Sequence, residues 1–574
     1  MSAVVRIAAG VVNAEVLQPT AQIKSLLTDW LSYENNGESE FRGNAVQSGH
    51  GTLFDWGTNR FPAGFVPTIK QRMAKAGLKV VVHNAKAPAP KGQARAKVDD
   101  FPEDPRYEYQ HKTVDRLVEL RRMIAMIATG GGKSRIARLA YRRIGDTTLF
   151  VTTRKSLAYQ MAASINRDLK ESCGFLGDGK WEFIEGGFNV AIADTLSARM
   201  EPRELDDELA NVVERLHGEL EKTYTAQAKA ARLPVGAKAK PTQEQQEALD
   251  KLYDRLRQDQ DRTWTTERIA ALAKKKLKEH SARRKSTIAV LHKVAFTIVE
   301  EAHEVSAAGF YNVMATCRNA HYRLALTATP FMRESGEANM RLMAATGPIG
   351  IQVTEKMLID LGILARPYFR FLSVPAPAGV ARGTPWQKAY QMGIQENLAR
   401  NKMIVKEVMR GRMFGLTSMI LIQRKDHGKW LCDALKKLGV RAAFISGDDK
   451  QDERQRWLDA LGTGEIDALI GSNILDVGVD VPAVGMVIIA GGGKAEVAQR
   501  QRIGRGLRAK KAGPNVCLVV DFVEEFNKTL LKHARQRYEI VKSTPGFAEG
   551  IIDPSQPFPY EALGFQKTAW RPAA

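Results

Sequence analysis

The chain has 574 residues, enough for three or four domains. Its 44% hydrophobic and 26% charged content is that of a globular protein, and no apolar run reaches the roughly 18 residues of a membrane-spanning helix. A net charge of +21 points to a polyanionic partner, nucleic acid or an anionic membrane surface, with a merely basic protein as the plainer alternative.

The cysteines Cys173, Cys317, Cys432 and Cys517 are widely spaced with no C-x-x-C pair, which argues against a zinc ribbon and implies no disulfides. The first residues, Met1 to Arg6, lack the apolar core of a signal peptide. A reducing cytoplasm is the expected compartment.

Residues 1–98 read as a small α+β domain. Val4 to Leu17 suits a strand or hairpin, and Ile23 to Tyr33 has helical apolar spacing. Thr68 to Ala76 reads as a helix that passes through Gly77 into a strand, Leu78 to His83. Lys86 to Lys97, rich in Ala, Pro, Lys and Gly, reads as a linker.

Tyr109-Gln110 precedes a helix (Lys112 to Arg121), and the apolar run Met123 to Ala128 then stops at Thr129-Gly130-Gly131-Gly132-Lys133-Ser134. Strand, glycine loop, Lys-Ser and helix together make a phosphate cradle. The glycines let backbone N–H groups approach phosphates, Lys133 adds a charge, and the Ser134 hydroxyl suits Mg²⁺. The strict pattern wants Gly at 127, where this chain has Ile127, and a glycine turn beside a solvent lysine is the alternative. The amide of Gln110 can pair with both donor and acceptor on an adenine edge.

Beyond the cradle, strand and helix signals alternate: Thr147 to Thr152, a helix from Leu157, then Phe188 to Ala193. That alternation predicts a parallel sheet covered by helices, with binding residues at the strands' carboxyl ends. From about 201 to 285 charged residues dominate, with Leu209, Val213, Leu216 and Leu220, then Leu249, Leu252 and Leu256, at helical spacing. Two long helices forming an antiparallel hairpin are expected, either as a solvated arm or as one that touches nucleic acid or a protein partner.

The strand Ala295 to Val299 runs into Glu300-Glu301-Ala302-His303, an acid pair able to hold Mg²⁺ and activate water. Thr327-Ala328-Thr329-Pro330 follows a further strand. After Pro367 the β–α alternation restarts, with strands at Met419 to Gln423, Phe444 to Gly447, Ala468 to Gly471, Val487 to Ala490 and Val516 to Asp521. Three arginines punctuated by glycine in Gln501-Arg502-Ile503-Gly504-Arg505-Gly506-Leu507-Arg508 suit the charge on a transferring phosphoryl group. The stretch 531–574 carries prolines and aromatics and is read only as a tail.

Taken together and in order, these motifs resemble the superfamily-two helicases of the DEAD/DEAH-box type. T-G-G-G-K-S resembles motif I, E-E-A-H motif II, T-A-T-P motif III, N-I-L-D-V-G-V-D motif V and Q-R-I-G-R-G-L-R motif VI. The run G-G-G-K ahead of motif VI looks most like the phage UvsW-like, RadD/XPB-like branch, although the zinc module of RadD is missing. The resemblance implies two tandem RecA-like domains, 99–352 and 353–530, with the helical hairpin inserted in the first.

It also implies roles. Gln110 would read adenine, while Thr129, Gly130, Gly131, Gly132, Lys133 and Ser134 would bind the phosphates of ATP. Ser134 and Glu300 would hold Mg²⁺, and Glu301 would activate water. Thr327 and Thr329 would couple hydrolysis to motion. Gly478 and Asp480 would line the nucleotide cleft, Arg505 and Arg508 would serve as arginine fingers, and Gln501 would face the γ-phosphate. Arg154, Thr195, Gln423, Arg424 and Ser446 would hold the nucleic-acid backbone. Glu300 departs from the family's Asp, placing a longer side chain at a metal that demands near-ideal octahedral geometry. The implied activity is ATP-dependent unwinding or translocation on duplex, branched or single-stranded DNA. RNA is the alternative substrate. A catalytically weak DNA-binding scaffold or a restriction-type motor subunit are the other readings.

Overall fold

The computed structural model describes residues 4–34, 50–236, 239–302, 308–331, 336–471, 483–493, 507–510 and 513–568. Two compact units emerge, one of residues 194–293 and one of the chain on either side of it.

Within the larger unit, a small sheet comes first. Its order is Arg60–Pro62, Asn13–Leu17, Val4–Ala9, Lys79–Asn84, with the last pair parallel. Val5, Ile7 and Ala9 point one way along their strand and are buried, the period-two pattern of a one-faced sheet. Helices Ala21–Trp30 and Val66–Lys75 supply Ile23, Leu27, Ile69 and Met73 to the same core. Thr20 caps the first of them, its hydroxyl accepting from the Ile23 N–H.

An eight-stranded sheet follows, in the order Lys180–Glu182, Cys173–Gly177, Phe188–Ile192, Thr148–Thr152, Phe296–Glu300, Tyr322–Thr327, Arg122–Ile127, Ile349–Val353. Every pairing is parallel except that of the first two strands. The central strands are buried along their whole length because helices cover both faces, so they read as continuous apolar runs without alternation.

A seven-stranded sheet completes the unit, in the order Ala442–Ile445, Ala468–Gly471, Ser418–Leu421, Met486–Ile489, Val516–Val523, Arg366–Ser373, Ile551–Ile552, all parallel. The α/β class with parallel-sheet domains and a small α+β start is therefore observed.

Two expectations need correction. Residues beyond 530 are more than a tail: helix Lys528–Ser543 buries Leu530, Ala534, Arg537, Ile540 and Val541, and Ile551–Ile552 extends the second sheet. The prolines and aromatics there hid a helix that begins at Asn527, whose side chain accepts from the Thr529 and Leu530 N–H groups.

The unit of residues 194–293 contains, among the described residues, three long helices rather than the expected two: Leu205–Ala230, Gln243–Thr263 and Thr266–His292. The break at Trp264-Thr265 escapes apolar spacing. Thr265 caps the third helix by accepting from the Arg268 N–H, and Trp264 joins Val212, Leu216 and Ala273 in a small core.

Candidate nucleotide site

Three neighbouring strands of the eight-stranded sheet deliver the site. Arg122–Ile127, Tyr322–Thr327 and Phe296–Glu300 lie side by side, with Thr327 opposite Met126 and Glu300 opposite Leu326. Their carboxyl ends therefore carry the glycine loop, the threonines and the acids at one edge, where open α/β sheets bind ligands.

The loop takes its shape from its glycines. Gly130 and Gly132 sit at φ of 87° and 75°, which glycine adopts without strain. Gly132 caps helix Lys133–Ile144, so the N–H groups of Lys133 and Ser134 start a helix without intrahelical acceptors. Gly131 has no room for a side chain: an added Cβ would stand 2.7 Å from Ile127 Cγ2 and 3.1 Å from the Ala128 carbonyl oxygen. Ile127, the residue that departs from the strict pattern, is thus the floor on which the loop rests.

Lys133 Nζ donates to Glu301 Oε1 at 2.8 Å, and both side chains are largely buried. Glu301 sits at φ 49°, a left-handed conformation that a non-glycine residue holds only when its surroundings fix it. Beside it, Glu300 is buried, and burial pushes its carboxyl up to about 7; Lys133 pulls the other way and Glu301 reinforces the rise. Thr327 is buried and its hydroxyl accepts from the Thr329 N–H at 3.2 Å. The Thr329 hydroxyl has no partner among the described residues.

Gln110 is buried and its amide faces inward. Its oxygen accepts from Arg135 Nη1 at 2.7 Å, and its nitrogen donates to the Gly131 carbonyl at 3.3 Å. The Tyr109 hydroxyl donates to the same carbonyl at 2.8 Å. Arg135 is further held by Asp99 at 3.0 Å and lies 5.4 Å from the Phe101 ring, which packs edge-on against Tyr107 and is 45% exposed. Asp99, Phe101 and Arg135 went unread in the sequence. The signal for them was the aromatic-acidic passage just upstream of Gln110, which reads as loop until Arg135 joins it to the helix.

Oriented N–H groups, a lysine, an exposed serine hydroxyl and a buried acid with no ion pair of its own among the described residues fit a nucleotide phosphate with a divalent ion.

The remaining candidates are more scattered. Arg154 follows strand Thr148–Thr152 and caps helix Lys155–Ser164, while Thr195 lies in helix Ala193–Met200, at the start of the separate helical unit. Gln423 and Arg424 follow strand Ser418–Leu421, and Ser446 follows Ala442–Ile445, all at the carboxyl edge of the second sheet. Gln423 donates to the Gly492 carbonyl at 3.1 Å, and Ser446 is buried with its hydroxyl accepting from the Asp448 N–H. Arg508 is exposed and its backbone bridges Leu364. Gly478, Asp480, Gln501 and Arg505, together with His303, lie outside the described residues.

The family described as the res subunit of type III restriction enzymes matches residues 104–332, and the helicase conserved C-terminal domain matches residues 400–510. A putative helicase of Sulfolobus islandicus filamentous virus is 23% identical over 255 residues, 42% of this chain and 44% of that protein. The ATP-dependent RNA helicase SrmB of Haemophilus influenzae is 31% identical over 139 residues, 24% of this chain and 29% of that protein. The chain spans less than half the length of these curated relatives. Among solved structures, T4 UvsW covers 96% of this chain and 99% of its own at 15% identity, with a TM-score of 0.41.

Proposed function

The chain belongs to the superfamily-two helicases, and from that footing we propose that it is an ATP-driven motor acting on duplex or branched DNA. The observation that carries the reading is the 2.8 Å pair between Lys133, at the helix start behind the glycine loop, and Glu301, one residue past strand Phe296–Glu300, two strands along the sheet. A cation for phosphate and a base for water are thereby held at one point.

The triphosphate would lie on the loop from Thr129 to Ser134, with Lys133 turning from Glu301 to the phosphate oxygens. Glu301, so released, would take a proton from the water that attacks the γ-phosphorus as the bond to ADP breaks. Arg505 and Arg508 would meet the charge on the transferring group, with Gln501 beside it, and Gly478 and Asp480 would close the cleft. Mg²⁺, when bound, neutralises phosphate charge, and Ser134 with Glu300 would hold it. The exposed Phe101 ring offers a face for the base, and Gln110 would read its adenine edge once the amide leaves Arg135 and the Gly131 carbonyl. Thr327 and Thr329 would carry the change to the lobes. Arg154, Thr195, Gln423, Arg424 and Ser446 would grip backbone phosphates, giving affinity that falls with salt and depends little on sequence.

The net charge of +21 supports a nucleic acid of either kind, and the likeness of G-G-G-K with Q-R-I-G-R-G-L-R to the UvsW-like branch supports DNA. A second reading, RNA, is favoured by the match to a relative named as an RNA helicase. A third, the motor subunit of a restriction system, is favoured by the family matched at residues 104–332.

ATP hydrolysis measured with duplex DNA, forked DNA, single-stranded DNA and RNA separates them. Stimulation greatest on duplex or forked DNA, and lost by at least about a hundredfold in Lys133→Ala, is expected. Stimulation by RNA alone would move the assignment to RNA. DNA remodelling that survives Lys133→Ala would replace the motor with a binding scaffold.

A further inference from the structure

The strands that end at the nucleotide site begin, at their opposite edge, beside a second cavity. It is an open-mouthed pocket of about 210 Å³ between the small first sheet and the eight-stranded sheet. Arg121 and Arg122 open strand Arg122–Ile127, and His321 immediately precedes strand Tyr322–Thr327; all three line the cavity. Val11, Asn84 and Ala85 face them from the small sheet. Helix Val66–Lys75 starts at the same wall, so its positive end adds to the field.

The arginines spend only part of their donors. Arg121 Nη1 donates to the Ala85 carbonyl at 3.0 Å, and Arg122 Nη2 to the Val11 carbonyl at 2.8 Å. Among the described residues neither forms an ion pair with a carboxylate. Glu119, the sole acid of the lining, is turned to Arg116 at 2.6 Å. Arg323, buried in the next strand, adds a further cation and spends its guanidinium on the carbonyls of Met314, Cys317, Ala320 and Ala345. The crowding is felt: burial, Arg323 and Arg121 push the Arg122 guanidinium down to about 9, and burial with the same arginines lowers His321. Arginines gathered in a partly desolvated space, with no carboxylate paired to them among the described residues, leave an unmet demand for an anion.

We propose that this cavity binds a phosphate-type oxyanion, held by Arg121, Arg122 and His321 where the N-terminal domain meets the first large sheet. Its volume of about 210 Å³ suits a single phosphate group, with the rest of any larger molecule outside the open mouth. The unused guanidinium N–H groups supply charge-assisted bonds in the fork geometry that suits such an anion. Because donors on the large sheet and the backbone of the small sheet both border it, the bound anion clamps the two together. Free phosphate and a nucleic-acid backbone phosphate share this chemistry.

The test uses the full chain with a saturating non-hydrolysable ATP analogue and Mg²⁺, so that the glycine loop is occupied. Thermal unfolding and calorimetric titration are followed with inorganic phosphate, dimethyl phosphate and chloride at matched ionic strength. Phosphate is expected to raise the melting temperature where chloride does not, and Arg121→Gln with His321→Asn to weaken its binding about tenfold or more. Asn84→Asp places a carboxylate at the cavity wall. It is expected to raise the melting temperature without added anion and to abolish the response to phosphate, which keeps the test decisive if the arginine variant folds poorly. Dimethyl phosphate binding as well as inorganic phosphate would identify a strand backbone as the source, and selectivity for the inorganic ion would identify free phosphate. Equal responses to chloride and phosphate, or an unchanged phosphate response in both variants, would overturn the site.

Discussion

Gly131 shows how one missing side chain sets the chemistry of a loop. Its neighbours leave no space for a methyl group, with Leu358 Cδ1 at 3.3 Å closing the third side beside Ile127 and Ala128. Gly131→Ala must push against backbone as well as side chains, so a loss of about 1–3 kcal/mol is expected in denaturant unfolding, together with weaker nucleotide binding. An unchanged midpoint with full nucleotide affinity would show that the loop does not depend on that fit. The same contact explains why Ile127 is tolerated where the strict cradle has glycine: the branched side chain packs under the loop and supports it from below.

At the scale of elements, the turn after strand Met486–Ile489 is held by its carbonyls. Arg400 donates to Ala490, the Tyr390 hydroxyl to Gly491, Gln423 to Gly492 and Arg537 to Gly493. Arg400 is fully buried and paired with Glu524 at 2.9 Å, while Arg537 is paired with Asp521 at 2.9 Å. Next to Arg400, His427 shares a hydrogen bond with Asn401 through Nε2, and its Nδ1 has no partner among the described residues. Burial, then Arg400, push the imidazole down from 6.5 to about 3.

The folded protein therefore favours the neutral ring. The associated stability is complete above pH 6.5 and is lost as pH falls from there toward 3, by about 2 kcal/mol at pH 5. In His427→Gln, whose amide can still donate to Asn401, melting should depend less on pH between 7 and 5 than in the wild type. Parallel curves for the two proteins would mean that the ring protonates without penalty.

None of this network was legible in the sequence, because Arg400, His427, Glu524 and Arg537 look like ordinary surface charges until tertiary packing buries them. The α/β alternation was legible, since strands buried on both faces are apolar runs that need no partner to be seen. Lys133 and Glu301 were also legible, each at a strand's end beside glycine or a second acid. Thr265, which splits one expected helix into two, was not, because a capping threonine between two helical patterns leaves the apolar period intact.

For the whole molecule, the last described residues carry more than their sequence suggests. Phe547 packs 5.3 Å from Phe369, and Tyr560 stacks on Phe414 at 4.3 Å. Phe547, Phe558, Tyr560 and Phe565 are all buried. At roughly 1.5–3 kcal/mol for each buried large apolar side chain, these four rival the ~5–15 kcal/mol that holds a typical domain folded. A chain ended after residue 527 should therefore be recovered as aggregate or lose its cooperative melt; a soluble product with wild-type melting would refute this. Strand Arg366–Ser373, two residues of which pair with Ile551–Ile552, would then border the sheet as an open edge, the usual template for intermolecular pairing. The family match stops at residue 510, yet the folding module runs on through the helix and aromatics beyond it. Tags, fusions or proteolytic nicks placed near residues 530–560 would act on the second sheet's own scaffold, so the boundaries of matching and the boundaries of modularity are different lines on this chain.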